Sequence, residues 1–315
     1  MATDGRLIFS NIVSGIDVWS LPLQANQGKV VGEPQRLTQD ADRDYRPSVS
    51  GDGKTMVFIS ERSGNADIWK KDLESGKETA LTATPFTEEH PVITSDGKKV
   101  AYVINTGKPG TYVLSIHRGV LEKVSDDWHR PHDWTSDGRW ILGTFPSKHK
   151  PNWSRVGLLD VFTQKNLEPL QHPDWQLHSP RFSPDERWIA FHATNNPTTR
   201  RIFVAPFLMA KAASQSEWIA VTSGKELDRE PRWSPDGNLL YFISERDGFR
   251  CLWAQRLHSV KKRPVGSPFA VHHLHRSRLT NRLSDTGLIG LAVLRDRIFL
   301  SLEELTGNIW MTNLN

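Results

Sequence analysis

The chain has 315 residues, 37% of them hydrophobic and 24% charged, which is the composition of a folded globular protein and excludes a disordered one. Its formal charge is only +4, from 40 basic and 36 acidic residues, so charge alone does not point to nucleic acid. One cysteine, Cys251, excludes an internal disulfide, and no run of 18 apolar residues is present to cross a membrane as a helix.

Read from the N-terminus, MATDGRLIFSNIVSG lacks the basic and apolar regions of a secretory signal. The expected compartment is therefore cytoplasmic, or periplasmic if the chain is trimmed. A turn signal then recurs down the chain: TDG at 3–5, SGDG at 50–53, TSDG at 94–97 and 135–138, SPDE at 183–186 and SPDG at 234–237. Its aspartates, Asp4, Asp52, Asp96, Asp137, Asp185 and Asp236, are 48, 44, 41, 48 and 51 residues apart. A period in this range is the mark of solenoids, propellers and arrays. The pentapeptide FISER stands at 58–62 and again at 242–246, a shift of 184, or four such units.

Each unit follows one grammar. A short strand enters an Asp-Gly hairpin turn. An apolar strand follows, as in TMVFIS (55–60), KVAYVI (99–104), WIAFHA (188–193) and LLYFIS (239–244). A third strand comes next, as in IDVWSL, ADIWKK, TYVLSI, RVGLLDV, RIFVAPF, CLWAQR and NIWMTN, and a fourth often ends in Leu-Thr (35–38, 79–82). Only 208–218 suggests a short helix. Four antiparallel strands repeated radially make a propeller blade, and stacking the blades buries faces that no single sheet could bury. Twelve Trp against four Tyr fit a Trp repeated at one blade position.

The reading is thus an all-β, seven-bladed β-propeller of one domain. Its blades fall at about 1–43, 44–88, 89–128, 129–177, 178–229, 230–282 and 283–315. The last copy, RDRIFLSLEELTGNIW (295–310), echoes DGRLIFSNIVSGIDVW (4–19), and SDTG at 284–287 is read as an insert before it. The first unit lacks an inner strand and the last lacks a fourth. The N-terminal residues could therefore pair with the final blade, and six or eight blades stay open.

WSPDGNLLYFISERDG (233–248) and SGDGKTMVFISERSGNADIWKKDLESGKETALT (50–82) resemble the TolB-type propeller repeat, related to the propellers of prolyl oligopeptidases, dipeptidyl peptidases and the tricorn protease. That resemblance implies a protein-binding platform. The stretch GEPQRLTQDADRDYRPSVS (32–50) is also similar to propellers appended to kinases or winged-helix regulators in bacterial signalling proteins. SPDE lacks the glycine, and Leu114 replaces the third-strand Trp.

Chemistry is sparse. There is no G-x-S-x-G elbow, phosphate loop, dinucleotide fingerprint or H-E-x-x-H. Asp52, Asp96, Asp137, Asp185 and Asp236 are read as structural turn residues rather than acids or bases. The informative positions precede the inner strands, where the repeat varies between Arg, His and Glu: Arg46, His90, Arg130, His132, His178 and Glu230. These are expected at the mouth of the central channel, docking a protein, peptide or small ligand without a cofactor. Resemblance to oligogalacturonate lyases offers an alternative in which His90, His132 and His178 hold a metal for a polysaccharide lyase or hydrolase. A further alternative is the propeller of a larger signalling regulator.

His273 and His275, in HHLH at 272–275, share a strand face and could clamp a metal, but no third ligand is evident; solvated outer-strand histidines are the plainer reading. Cys251 reads as a buried inert thiol. Between Asp247 and Asp285 the chain has no acid but carries Arg250, Arg256, Lys261, Lys262, Arg263, Arg276, Arg278 and Arg282. This is read as a solvated basic edge or a contact for an acidic partner protein, not a nucleic-acid surface. No membrane span is expected, and the chain is read as a monomer.

Overall fold

The structure is a computed structural model that describes residues 6–313 apart from 40–41, 128, 147–153, 197, 210, 276–278 and 281–289. The first turn signal and the SDTG insert lie outside these residues, as do Arg276, Arg278 and Arg282. Apart from one 3-10 turn, Gln215–Glu217, the regular structure is β.

Five four-stranded antiparallel sheets succeed one another along the chain: blade I (44–80), II (88–125), III (130–170), IV (176–220) and V (229–272). Blade VI is assembled from both ends. Its inner strand is Leu291–Val293 and its second is Arg297–Asn313. Its third strand is Arg6–Gln24, and Gln35–Arg36 adds the outer edge.

The propeller therefore has six blades, not seven. The segment NIWMTN is not the third strand of a further blade. It is the far end of Arg297–Asn313, paired continuously with the N-terminal strand from Arg6↔Asn313 to Pro22↔Arg297. The two similar end segments are the two arms of one long ribbon that closes the ring. Trp310 and Met311, at its far end, are 53% and 62% exposed, so no neighbouring blade covers them.

The repeated FISER has a physical cause. In blade I the Arg62 guanidinium bonds Ser60 Oγ (2.7 Å) and buried Asp44 (3.0 Å) and lies 4.3 Å from the ring centre of Trp69. In blade V Arg246 bonds Ser244 Oγ (2.9 Å) and buried Asp228 (2.8 Å), 4.8 Å from Trp253. Each Arg thus ties three strands of its blade while covering a half-buried indole, a cation–π contact with a desolvated partner. The hairpin turns repeat as closely. Asp52 Oδ1 accepts from Ser50 Oγ (2.6 Å) and Lys54 N (3.0 Å), while Gly53 takes φ 72° to complete the turn. Asp96, Asp137, Asp185 and Asp236 accept from the matching Thr94, Thr135, Ser183 and Ser234 hydroxyls at 2.5–2.7 Å.

Apolar clusters fill the spaces between blades. The one that closes the ring takes Leu21, Ile298 and Leu300 from blade VI, Tyr241 and Leu252 from blade V, and Tyr45 and Ile59 from blade I. At the axis, Gly290 sits so close to Arg46 and Pro47 that a Cβ there would meet both at 2.5 Å.

Candidate functional site: an arginine-lined central channel

The inner strands of blades I to V each break register once. The slips fall between Tyr45 and Ser48, Glu89 and Val92, Pro131 and Asp133, His178 and Arg181, and Arg229 and Arg232. At four of these bulges a non-glycine residue adopts a left-handed backbone: Arg46 (φ 55°), His90 (57°), Ser179 (49°) and Glu230 (54°). A proline follows each one, and its ring disfavours the right-handed helical region for the residue before it. Such conformations cost on the order of 1–3 kcal/mol each and cluster at ligand sites. Here four of them, from four blades, face one cavity.

That cavity, of about 170 Å³, is lined by all six residues expected at the channel mouth, Arg46, His90, Arg130, His132, His178 and Glu230. Ser179, His192, Arg200 and Arg229 complete much of its wall. A second cavity of about 430 Å³ continues from it and is lined by Asp133, Arg181 and Arg232 among others. Arg46, His90, His132 and Glu230 line both and form the waist between them. A lateral space of about 820 Å³ reaches Arg46, His90 and Arg130 past Asp42, Glu61 and Glu89.

Sequence reasoning did not find Arg181, His192, Arg200, Arg229 or Arg232. The signal for two of them was present: SPRF (179–182) and EPRW (230–233) each place an Arg two residues beyond the left-handed position, on the same side of the strand.

The site is electrostatically lopsided. Seven arginines (46, 130, 181, 200, 229, 232 and 295) line the two cavities against two carboxylates, Asp133 and Glu230. Glu230 Oε1 accepts from Ser179 Oγ (2.5 Å) and Oε2 from Arg232 Nη2 (3.1 Å). Burial works to raise its carboxyl, but Arg232 and the Ser179 hydroxyl hold it well below the usual range. Arg232 also donates to the carbonyls of Leu291 and Pro231, so each of its three guanidinium nitrogens has an acceptor. Arg181 is different: its buried Nε has no acceptor, and burial beside Arg232 pushes the guanidinium down to about 9. Arg229 holds Glu245 through Nη2 (2.8 Å), while its Nε and Nη1 have no acceptor, and burial lowers it to about 10. Asp133 is raised by burial although it accepts from the backbone amides of Trp134 and Phe182.

The histidines are neutral here. Burial, then the charge of Arg46, drives His90 far below its ordinary value. His132 is lowered by burial and Arg181, and His192 by burial and His178. His178 falls to about 4, chiefly through burial. Arg46 Nη1 lies 2.9 Å from His90 Nδ1, which must accept, so the His90 proton sits on Nε2. His132 Nε2 meets Thr144 Oγ1 at 3.3 Å and His178 Nδ1 meets Ser154 Oγ at 3.0 Å. His90 and His132 pack edge to face at 5.8 Å, whereas His178 stacks on His192 at 5.2 Å. His90, His132 and His178 therefore line one cavity with ring nitrogens already engaged and arginines beside them. The second histidine pair, His273 and His275, lies outside the channel lining.

No family model matches the chain. The Tol-Pal system protein TolB of Francisella tularensis (strain WY96-3418) is 23% identical over 202 residues, covering 63% of this chain and 45% of that protein. The chain thus spans less than half the length of this curated relative. Among solved structures, a putative TolB from Agrobacterium tumefaciens superposes with a TM-score of 0.65 at 15% identity, covering 95% of this chain and 99% of the other. An oligogalacturonate lyase in complex with manganese gives a TM-score of 0.55 at 12% identity, covering 85% of this chain and 79% of the lyase.

Proposed function

We propose that this chain, a TolB-like β-propeller, is a non-catalytic binding module that docks an anionic group of a protein, peptide or small ligand in its central channel. The observation that carries this reading is the excess of seven arginines over two carboxylates along the channel, with Arg181 and Arg229 retaining guanidinium N–H groups that have no acceptor. A buried donor without a partner costs about 1–3 kcal/mol, more when it is charged. A carboxylate or phosphate entering the channel would relieve that cost through charge-assisted hydrogen bonds. Strained residues at the waist fix the donors before the ligand arrives, which lowers the ordering cost of binding.

The test is calorimetric titration of the full chain with acidic and basic peptides and with small polycarboxylates. Preference for the anionic probes, falling as salt is raised and lost in Arg181→Met with little change in melting temperature, supports the reading. Equal or absent binding of all probes overturns it.

A second reading, a metal-dependent lyase acting on a polyanionic sugar, is favoured by the likeness to the manganese-bound lyase together with the same arginines. Release of unsaturated products from polygalacturonate in the presence of manganese would support it over the binding module. A third, the propeller of a larger signalling regulator, is decided by the coding sequence on either side of this chain.

A further inference from the structure

Blades I and V share one sequence frame at a shift of 184 but differ where the third strand begins. In blade I, Asp67 Oδ1 accepts from Thr82 Oγ1 (3.2 Å) and Thr84 N (3.4 Å), while Ser63 donates to Oδ2. It is an ordinary oxygen network tying the turn to the outer strand. In blade V the positions of Ser63 and Asp67 become Asp247 and Cys251. The backbone amide of Leu274 now points at Cys251 Sγ (3.4 Å), and the turn that follows the outer strand offers His273 and His275 on either side of it. A hydroxyl–carboxylate network has been replaced, at one spot and in both partners, by nitrogen and sulfur donors.

We propose that Asp247, Cys251, His273 and His275 form a zinc(II) site. One ligand atom from each lies within 4.8 Å of the others. Cys251 Sγ is 3.2 Å from His275 Nδ1, and His273 Nδ1 is 2.8 Å from Asp247 Oδ2. Tetrahedral zinc, with bonds of about 2.0–2.3 Å, spaces its donors by roughly 3.3–3.7 Å. The observed separations bracket that spacing, so closure on an ion needs side-chain shifts of about an ångström and no change of fold.

The donor set selects the metal. One thiolate, two imidazoles and one carboxylate suit zinc, whereas magnesium and calcium require oxygen. Binding removes the Cys251 thiol proton to solvent and leaves zinc's two charges balanced by the thiolate and the Asp247 carboxylate, with no oxidation or reduction. Four protein ligands leave no open position, so the site is structural. Cys251 is buried, Asp247 and His273 are half-buried and His275 is exposed, so the ion enters from the solvent side. The ion would join the turn after FISER to the end of the outer strand. Glu245, within FISER and just before that turn, holds channel residue Arg229 at 2.8 Å.

Chelator-stripped full-length protein is given one equivalent of zinc, desalted and analysed for metal, then titrated separately with cobalt(II). One zinc retained per chain, a melting temperature raised by several degrees and a near-ultraviolet thiolate-to-cobalt band are expected. Cys251→Ser should abolish the band. His275→Ala, a change at an exposed side chain that the fold does not need, should weaken zinc binding by more than the roughly 10–100-fold that loss of an outer-shell partner costs. His117→Ala, at an exposed histidine of blade II, should leave all three readouts unchanged. No retained zinc in the wild type, or equal retention by Cys251→Ser and His275→Ala, overturns the site.

Discussion

Glu230 and Arg232, two residues apart on the innermost strand of blade V, form a 3.1 Å ion pair at the waist of the channel with both side chains largely withdrawn from water. Their two-residue spacing puts both side chains on the same side of the strand. Removing one partner strands the other: Glu230→Gln should destabilise the fold by about 3–5 kcal/mol. Glu230→Gln combined with Arg232→Met should recover much of the loss, because neither charge is then buried alone. Urea denaturation of the two single variants and the double variant measures the coupling, and strict additivity would show that the pair does not act as a unit.

The channel histidines predict acid sensitivity. His90, His132, His178 and His192 all have folded values below their ordinary 6.5, with His178 at about 4, so the unfolded chain takes up protons that the folded chain refuses. Stability from these groups is complete above pH 6.5 and is lost as pH falls from there towards 4. His192→Phe removes one such group, and its urea midpoint should fall less steeply than that of the wild type over this window. Parallel slopes would mean that His192 is already protonated in the folded protein.

Glu88 runs the other way. It is fully buried in blade II, accepts from Thr84 Oγ1 (2.5 Å), lies 3.3 Å from Thr82 Oγ1, and is raised to about 7, first by burial and then by Asp67. Its protonated form is the one that folding favours, so its contribution is present below about 4.5 and lost as pH rises through 7. Glu88→Gln should therefore match the wild type near pH 5 and exceed it near pH 8 in thermal stability. A constant offset at both values would show that the carboxyl does not change its charge in this window.

What could be read in the sequence follows from how local the physics is. FISER, the Asp turns and the third-strand tryptophans repeat because each blade solves its packing within about 45 residues, so the all-β repeat architecture was legible. The ring of Arg46, His90 and Glu230 was legible because a proline marks each bulge. In blade IV Ser179 rather than His178 takes the left-handed conformation, and both line the cavity. Of the second tier, Arg181 and Arg232 carried a signal in SPRF and EPRW, whereas His192, Arg200 and Arg229 were hidden. A bulge changes which alternate residues face inward, and two of these residues come from strands other than the innermost. The cluster around Cys251 needed the fold outright, because Asp247 and His275 meet only when the outer strand returns to the turn.

The blade count was misread because Arg297–Asn313 is 17 residues long, and its alternation looks like two strands of a unit when it is one arm of the closing ribbon. That distinction gives a direct test. In the six-bladed ring Trp310 is 53% exposed, whereas Phe299, on the same strand, is fully buried with Val18, Met56 and Phe58. Trp310→Ala should then change stability by no more than about 0.5 kcal/mol, as surface substitutions do. Phe299→Ala should cost about 3–5 kcal/mol, as large-to-small core changes do. Chemical denaturation of both variants decides it: a Trp310 truncation as damaging as the Phe299 one would mean that another sheet covers the ribbon's end, and the six-bladed closure would fall.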